Sequence, residues 1–393
     1  MNTAPPDGTR YILPPASSQR LEVTTRLRRL YSSWGYEGVE VPALERYDSR
    51  HRAADKSFKL SDKDSGVLTL RSDFTPAIAG LVKAHFPEAA SSAGGLPKRL
   101  QYCGAVWQAI DPDIARTREF NQIGLELVGI SNPRADAELI HLARESVREV
   151  GLVPRVEMGN PGFVRALFAL AGVSEGLQER LADAIDRKDA STLAGLLAPI
   201  KLAPDLHRAI LAVPDLYGDP GTLSRARKIA VWPETLNELD RIDAILSEFE
   251  DASELMLELG MARRLAYYTG VTFRAYTFDY AQPLLGGGRY DGALLPFAAG
   301  FAIGLERLMS ALPGAAGHLQ PLVLSLDDAR ARLLRARGYA VERSLAADPE
   351  GARAYAKRRG IPYLLTAHGL ESLTEGAPER EGLEQTLAGS LRG

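Results

Sequence analysis

Cysteine is almost absent from the sequence, since Cys103 is the only one among 393 residues. A single thiol can form neither an internal disulfide nor a cysteine-based zinc cluster, so the chain suits a reducing compartment. Long apolar runs are also missing, because no stretch approaches the roughly 20 residues that a membrane-spanning helix needs. The N-terminal segment MNTAPPDGTRYILPP has no basic stretch followed by an apolar one. We therefore expect a cytoplasmic protein that does not enter a membrane.

Neither sign of charge dominates. The chain has 47 Lys and Arg against 50 Asp and Glu, a formal net charge of −3. This balance argues against a protein that depends on general attraction to nucleic-acid phosphates or anionic lipid. The 45% hydrophobic and 25% charged residues are typical of globular proteins and exclude wholesale disorder. At roughly 150 residues per domain, the length predicts two or three domains.

The usual signatures of metal and nucleophilic chemistry are missing as well. The six histidines are dispersed without HxxxH or HExxH spacing, so a histidine metal site is not expected. No GxSxG occurs, and Cys103 lies in an apolar, strand-like segment that does not suit a nucleophile. We expect neither a metal nor a cofactor.

The hydrophobic periodicity, with the Gly- and Pro-rich stretches that interrupt it, predicts two main units. Residues 1–312 would form the larger one, which ends in a helix over Phe301–Leu312. Inside it, short helices separated by Pro and Gly from about residue 162 to 253 indicate a helical insertion. After a linker, residues 321–393 alternate strand-like and helical segments, which is typical of a small domain with a largely parallel sheet.

A capped helix is predicted directly after an acidic residue. Thr75 suits the N-cap and Pro76 the first helical position, and the apolar periodicity continues to Ala84. Asp73 precedes this helix. By itself Asp73 is explained as an acid that interacts with the helix dipole.

The segment Arg116–Val128 has the alternation of a β-strand. One face would carry Ile123, Leu125 and Leu127, which are typical of a core. The opposite face would carry Arg116, Arg118, Phe120, Gln122, Gly124, Glu126 and Val128. Polar groups around a glycine suit the floor of a ligand pocket. A strand with one face in solvent alternates in the same way, so the pattern leaves both interpretations open.

The most glycine-rich run is LGGGRYDG, at Leu285–Gly292. It matches neither a P-loop nor a GxGxxG fingerprint. Three consecutive glycines could bring the backbone close to a ligand. A hairpin turn is the simpler interpretation of the same run.

Seven segments occur in this order: PDGTRYILPP, WGYEGVEVPALE, LTLRSDFTPAIA, ARTREFNQIGLELVG, LAYYTGVTF, GGGRYDG and GFAIGLERLM. Taken together, they resemble the catalytic core of the class II histidyl-tRNA synthetase family. They resemble still more closely its paralogue, the regulatory subunits of ATP phosphoribosyltransferase. The resemblance extends to about Met309. It implies an α+β fold in which helices flank an antiparallel sheet of six or seven strands, with a helical insertion and a dimer formed through Gly35–Glu45.

The resemblance also favours a regulatory subunit over a working synthetase. Where a synthetase has the arginine that holds the ATP α-phosphate, this chain has Gln108, which carries no charge. Ile110 stands where an acid helps to seat the adenine. In the synthetase signature Arg-Gly-Leu-Asp-Tyr-Tyr, the glycine and the aspartate are replaced within Arg263–Tyr268. Arg116 and Arg307 would retain residual anion binding.

The amino-acid half of the site is better preserved, and the resemblance implies a pocket for histidine. Seven residues would form it: Asp73, Thr75 and Gln122 around the α-ammonium group, Glu126 and Tyr268 around the imidazole, Arg263 at the carboxylate, and Tyr290 closing the pocket. Carboxylates suit this ligand because they accept charge-assisted hydrogen bonds from ammonium and imidazole N–H groups.

The C-terminal segment does not look like an RNA-binding domain. Residues 321–393 contain 11 Lys and Arg against 10 Asp and Glu. Apart from Lys357, Arg358 and Arg359 they form no basic stripe, so we do not expect tRNA binding.

The sequence as a whole predicts a non-catalytic regulatory subunit of ATP phosphoribosyltransferase. It would form a hetero-oligomer with the short catalytic subunit, which would use Mg²⁺ itself, and would help to transmit feedback by L-histidine in the first step of histidine biosynthesis. Two alternatives remain open at this stage. One is a divergent histidyl-tRNA synthetase, and the other is a stand-alone histidine-binding scaffold protein.

Overall fold

The computed structural model describes residues 3–49, 54–64, 66–93, 95–111, 117–262, 267–314, 321–346 and 348–389. The chain divides into two compact units. One comprises residues 1–11 and 20–313, and the other comprises residues 12–19 and 314–393. Of the described helices, none combines the length and apolarity that crossing a bilayer would require.

Up to Pro313, helices and strands alternate irregularly. The described helices are α1 (Ala16–Ser33), α2 (Thr75–His85), α3 (Pro133–Glu149), α4 (Pro161–Ala171), α5 (Glu175–Asp186), α6 (Ala190–Leu197), α7 (Pro204–Ala212), α8 (Thr222–Ile229), α9 (Pro233–Leu246) and α10 (Leu305–Ala311). The described strands are β1 (Glu37–Gly38), β2 (Leu44–Arg46), β3 (Lys59–Asp62), β4 (Gly66–Leu70), β5 (Lys98–Trp107), β6 (Glu119–Val128), β7 (Arg155–Gly159), β8 (Tyr217–Gly218), β9 (Leu255–Glu258), β10 (Thr272–Thr277), β11 (Tyr280–Arg289) and β12 (Ala298–Gly304).

Nine of the described strands form one large sheet, in the order β1-β5-β6-β12-β11-β10-β7-β9-β8. From β5 to β7 every neighbouring pair is antiparallel. Only the pairs β1/β5 and β7/β9, which lie toward the two edges of the sheet, are parallel. The predicted α+β class with an antiparallel sheet is confirmed, and short marginal strands extend the sheet beyond the six or seven strands expected. A second, three-stranded sheet has the order β2-β4-β3.

The alternation in β6 separates a core face from a cavity face. Ile123, Leu125 and Leu127 are buried in one cluster with α1 and α3 side chains such as Leu27 and Leu139. Helix α3 begins as its sequence predicts, because the Asn132 side chain accepts a hydrogen bond from the Ala135 amide. The opposite face of the sheet remains available for a ligand cavity.

Three local predictions were wrong. The residue that caps α2 is Phe74, which makes no side-chain capping bond, and Thr75 is the first helical residue. The last helix starts at Leu305, because Ala298–Gly304 pairs on both sides as strand β12. The three glycines at 286–288 lie inside β11 between two strands and do not form a turn. In the last two cases cross-strand pairing outweighs the local pattern.

The predicted helical insertion corresponds to α4–α9, between β7 and β9. Strand β8 also lies in this stretch and joins the edge of the large sheet. Buried residues of the insertion, such as Phe163 and Ile242, belong to the same hydrophobic cluster as the sheet residues Val156 and Leu257. The insertion therefore shares the core of the first unit.

The second unit is a small α/β layer structure. Its described elements are β13 (Val323–Ser325), α11 (Asp328–Ala336), β14 (Val341–Arg343), α12 (Pro349–Arg359), β15 (Tyr363–Thr366), β16 (Gly369–Ser372) and α13 (Arg380–Gly389). The sheet order is β14-β13-β15-β16. Strand β13 pairs in parallel with β14 and β15, while β16 is antiparallel to β15.

Candidate functional site

A cavity of about 560 Å³ lies over the central strands of the large sheet. Cross-strand neighbours on one face of the sheet form its floor. Glu126 of β6 lies opposite Gly300 of β12, and both line the cavity. In the next row Ala302 lies opposite Gly286. Small residues leave this part of the sheet open to a ligand.

The cavity brings together most of the residues that the sequence indicated. Its lining includes Asp73, Thr75, Gln122, Glu126, Tyr268, Tyr290 and Arg307, and also Gln108 and Ile110. They come from strand β6, from the start of α2, from α10 and from the loops between elements. Arg116 and Arg263 lie outside the described residues.

Glu126 is the most buried carboxylate of the cavity, with 2% of its surface exposed. The Thr75 hydroxyl donates to its Oε1 at 2.8 Å, and the Tyr290 hydroxyl donates to its Oε2 at 2.5 Å. Burial raises the pKa of Glu126 to about 8, against the opposing effect of the two hydroxyl donors, and the charge of Asp73 raises it further. In the ligand-free protein this carboxyl group therefore keeps its proton up to about neutral pH, and a positively charged ligand would favour its ionised form.

Space for this carboxylate depends on one glycine. A Cβ atom at Gly300 would lie 2.1 Å from Oε2 of Glu126 and 2.3 Å from the Leu125 carbonyl oxygen. A side chain at position 300 would therefore displace the carboxylate or the strand. Gly124 has a comparable role, since a Cβ there would lie 2.4 Å from the Tyr102 hydroxyl.

An arginine supports the wall that carries Asp73 and Thr75. The Arg71 guanidinium donates to the carbonyl oxygens of Val41 and Pro42 at 2.7 and 3.0 Å, and to that of Ala105 at 2.8 Å. These bonds join the loop before β2 to β5. Burial lowers the pKa of Arg71 from its ordinary value. The fixed Arg71 orients the chain that leads directly into Asp73.

Stacked rings continue this wall. The Arg71 guanidinium lies 3.9 Å from the centroid of the Phe74 ring, which stacks on Tyr102 at 4.4 Å. Tyr102 lines the cavity.

In the segment Arg289-Tyr290-Asp291 the side chains have different roles. Arg289 is fully buried, and its Nε donates to Asp136 Oδ1 of α3 at 2.8 Å. Its Nη1 donates to Asp291 Oδ1 at 2.9 Å. This arginine is a structural ion-pair centre, and only Tyr290 of the three lines the cavity.

Aromatic rings form another side of the cavity. Tyr267 stacks on Tyr290 with ring centroids 5.5 Å apart, and it meets Tyr268 edge-on at 4.9 Å. Burial and the charge of Glu126 raise the pKa of Tyr290 well above its ordinary value. Tyr290 therefore remains a hydroxyl donor at any physiological pH.

Gln122 presents a polar atom without a partner. Its Oε1 is buried, and nothing in the described part of the chain donates to it. A buried amide oxygen in this condition is costly unless a ligand supplies a donor. An ammonium group in the cavity would meet that need.

The part of the cavity around Gln108 and Ile110 has little capacity to hold phosphates. Gln108 Nε2 lies 3.4 Å from the Ser72 carbonyl oxygen, to which it donates weakly. Among the described lining residues, the arginines are Arg274 and Arg307. Arg274 lies 4.0 Å from Asp186. Arg307 is exposed and forms no ion pair within the described part of the chain.

No cluster of three or more His, Cys, Asp or Glu side chains with metal-binding geometry occurs among the residues that the structure describes.

Comparison with known proteins assigns the family. A sequence model of histidyl-tRNA synthetases matches residues 8–308. The chain is 43% identical over 372 residues to the ATP phosphoribosyltransferase regulatory subunit of Thermus thermophilus, covering 94% of this chain and 99% of that protein. It is 40% identical over 376 residues to the regulatory subunit of Deinococcus radiodurans, covering 95% and 91%. The chain belongs to the ATP phosphoribosyltransferase regulatory subunit family.

Solved structures agree with membership in this regulatory subunit family. One from Bacillus halodurans, described as an ATP phosphoribosyltransferase regulatory subunit/histidyl-tRNA synthetase, superimposes with a TM-score of 0.77 at 26% identity, covering 91% of this chain and 97% of that one. A histidyl-tRNA synthetase from Nostoc gives a TM-score of 0.78 at 18% identity, covering 98% and 99%. At that identity the second likeness shows the fold alone.

The sequence of this regulatory subunit family member did not indicate several side chains that shape its cavity. Tyr102 and Tyr267 line it, and Arg71 supports it from behind. A signal for Tyr102 was present, because it lies opposite Gly124 in the β5/β6 register and so on the same face as Glu126. No local sequence pattern predicts the carbonyl contacts of Arg71, since they join residues about 30 positions apart.

Proposed function

We propose that this protein is a non-catalytic regulatory subunit that assembles with a short ATP phosphoribosyltransferase catalytic subunit and supports its activity in the first step of histidine biosynthesis. The names of its relatives support the assignment. The observation that carries the proposal is the asymmetry of the cavity. Its lining includes residues expected around histidine, such as Glu126 and Gln122, whereas Gln108 and Ile110 lie in the part expected to face a nucleotide. We further propose a cytoplasmic location, which the single cysteine supports.

We propose that the cavity binds free L-histidine as the feedback effector. The imidazole N–H would donate to the Glu126 carboxylate, and the α-ammonium group would lie between Asp73 and Gln122. The unpartnered Oε1 of Gln122 supports this orientation, because an ammonium group would supply the donor that the amide lacks. Tyr268 and Tyr290 would enclose the ring.

The Thr75 hydroxyl fits the imidazole end of this arrangement better than the ammonium end. It already donates to Glu126 Oε1 at 2.8 Å. With Tyr290 on the other oxygen, Thr75 would hold the carboxylate in one orientation while leaving it lone pairs to accept the ring N–H. Histidine binding would therefore require no rearrangement of Glu126.

We propose that the chain does not activate histidine. Adenylate formation needs positive charge at the α-phosphate, where electrostatic stabilisation of the transition state is strongest. Gln108 supplies a neutral amide at the matching place, and Ile110 supplies no hydrogen-bonding group. A divergent histidyl-tRNA synthetase is therefore the weaker alternative.

The second unit also favours a role without tRNA. Five of its nine described arginines form ion pairs within the unit: Arg330 with Asp327, Arg343 with Asp328, Arg353 with Glu371, Arg359 with Glu342 and Arg380 with Glu384. Binding to a phosphate backbone depends on protein cations that displace its counterions. An arginine that already pairs with an acid contributes less to this effect.

We propose that two copies associate through the segment Gly35–Glu45 and the small sheet next to it. Leu44 of β2 and Leu60 of β3 are 51% and 42% exposed. In the strand register both lie on the same face as Leu68 of β4. Burying such an apolar face is a common source of dimer stability.

Reconstitution tests the proposal directly. The chain would be mixed with the short catalytic subunit from the same genome, and the condensation of ATP with phosphoribosyl pyrophosphate would be followed. We expect a stable complex, activity that depends on this chain, and inhibition by L-histidine. A catalytic subunit that is equally active and equally inhibited without this chain would refute the proposal.

A further inference from the structure

An arginine of the helical insertion reaches the main chain of the cavity wall. Arg165 lies in the second turn of α4. Its Nη1 donates to the Tyr268 carbonyl oxygen at 2.7 Å, and its Nη2 donates to the Thr269 carbonyl oxygen at 3.1 Å. Two consecutive carbonyl groups are thus held by the two arms of one guanidinium.

Helix α4 is a firm support for this arginine. Asn160 caps the helix by accepting from the Gly162 amide at 3.0 Å, and its Nδ2 donates to Glu238 Oε2 of α9 at 2.6 Å. Phe163 and Leu167 of α4 are fully buried in the hydrophobic cluster. The position of the Arg165 side chain is therefore set by the packing of α4 against α9.

The held segment is also fixed from its other side. The Thr269 amide donates to the Arg289 carbonyl oxygen at 2.8 Å. Gly270 packs so closely that a Cβ there would lie 3.1 Å from Arg289 Cδ. The segment that carries Tyr268 is thus held between Arg165 and β11.

From this segment the contacts lead to the buried carboxylate. Tyr268 meets Tyr267 edge-on, Tyr267 stacks on Tyr290, and Tyr290 donates to Glu126. A shift of the main chain at Tyr268 would move the rings that face the ligand.

We propose that Arg165 is a positioning residue of the histidine cavity, through which the helical insertion sets the place of the Tyr267–Tyr268 wall. This inference depends on the proposed histidine site. The fork of a guanidinium matches two neighbouring carbonyl oxygens, whereas a lysine ammonium could bond one of them without the fixed geometry. Burial lowers the pKa of Arg165, although the nearby Glu238 opposes this effect.

Three variants test the inference in the full-length chain. Arg165→Met removes both bonds, Arg165→Lys retains a single donor group, and Arg208→Met is the matched control. Arg208 lies on α7 of the same insertion and pairs with Asp205, one turn away at the surface. Titration calorimetry would measure L-histidine binding, and thermal melting would monitor folding. Hydrogen exchange of the Thr269 and Gly270 amides in ligand-free protein would report on the held segment.

We expect Arg165→Met to weaken histidine binding about tenfold, which corresponds to about 1.4 kcal/mol. Arg165→Lys should recover part of this loss. Faster exchange should be confined to the held segment, and Arg208→Met should behave like the wild type. Wild-type affinity in Arg165→Met would overturn the inference, as would a uniform rise in exchange with a matching fall in melting temperature. Absence of histidine binding by the wild type would instead refute the proposed site.

Discussion

The hydroxyl of Tyr290 donates to Oε2 of Glu126 at 2.5 Å, and both residues are buried. The two residues are 164 positions apart in the chain. The bond joins strand β6 to the residue that follows β11 and places the most buried acid of the cavity beside a ring that lines it. Substitutions at either residue should therefore affect ligand binding more than they affect folding.

Glu126→Ala should weaken histidine binding strongly. It removes the acceptor for the imidazole N–H and leaves that donor unpaired, which costs on the order of 2 to 3 kcal/mol, or about 30- to 150-fold in affinity. Asp73→Ala should have a similar effect through the ammonium group, and Gln122→Ala a smaller one. Titration calorimetry would measure all three. Glu119→Gln, an exposed acid on the same strand, is the control. Unchanged affinity in both acid variants would move the histidine sensor to a subunit interface.

Stability should depend on pH through Glu126. Its pKa is raised to about 8 in the folded protein, so the folded state keeps a proton that the unfolded state has already lost at lower pH. This contribution to stability is complete below about pH 4.5, the ordinary pKa of a glutamic acid, and is lost as the pH rises through the folded pKa. The melting temperature of the wild type should therefore fall more between pH 5 and about 8 than that of Glu126→Gln. Parallel curves for the two proteins would contradict this assignment.

Breaking the buried pair of Arg289 and Asp136 should destabilise the first unit. Asp136→Asn leaves a fully buried guanidinium without one of its charge partners, a change that typically costs about 3 to 5 kcal/mol. All three tryptophans, at positions 34, 107 and 232, lie in the first unit, so their fluorescence during urea unfolding reports on that unit. Asp205→Asn, in an exposed pair, should change the midpoint little.

The purified chain should not form histidyl-adenylate. Histidine-dependent exchange of pyrophosphate into ATP should stay at background. Gln108→Arg alone should not restore it, because Ile110 still lines the nucleotide half and residues that act as a unit are not additive. Exchange above background in the wild type would refute the non-catalytic assignment.

The chain should not bind tRNA usefully. Gel-shift titration with total tRNA at physiological salt should give no complex at micromolar protein, because residues 321–393 carry 11 Lys and Arg against 10 Asp and Glu and so have almost no net charge. A matched synthetase from the same source provides the positive control. A discrete shift that survives competition by non-specific RNA would contradict the prediction.

Much of the fold could be predicted from the order of its segments, but parts of it could not. The first third of the helix predicted over Phe301–Leu312 is strand, because Phe301–Gly304 belongs to β12, which pairs with β6 and β11. Local periodicity contains no information about such partners. The site residues Gln122 and Glu126 had a signal, since alternation placed them on one face of β6. Arg165 had none, because its role arises from packing between elements about 100 residues apart.

The cavity floor at Gly286, Gly300 and Ala302 consists mostly of peptide planes. Peptide planes held in a paired sheet have no rotamers, so the depth of the cavity cannot adapt to a larger or smaller ligand. Any tuning of ligand choice must come from the side chains around this floor, such as those of Tyr267 and Tyr268. A substitution that changes selectivity would therefore be found among the side chains around the floor. A larger residue on the floor itself would fill the cavity and exclude every ligand alike.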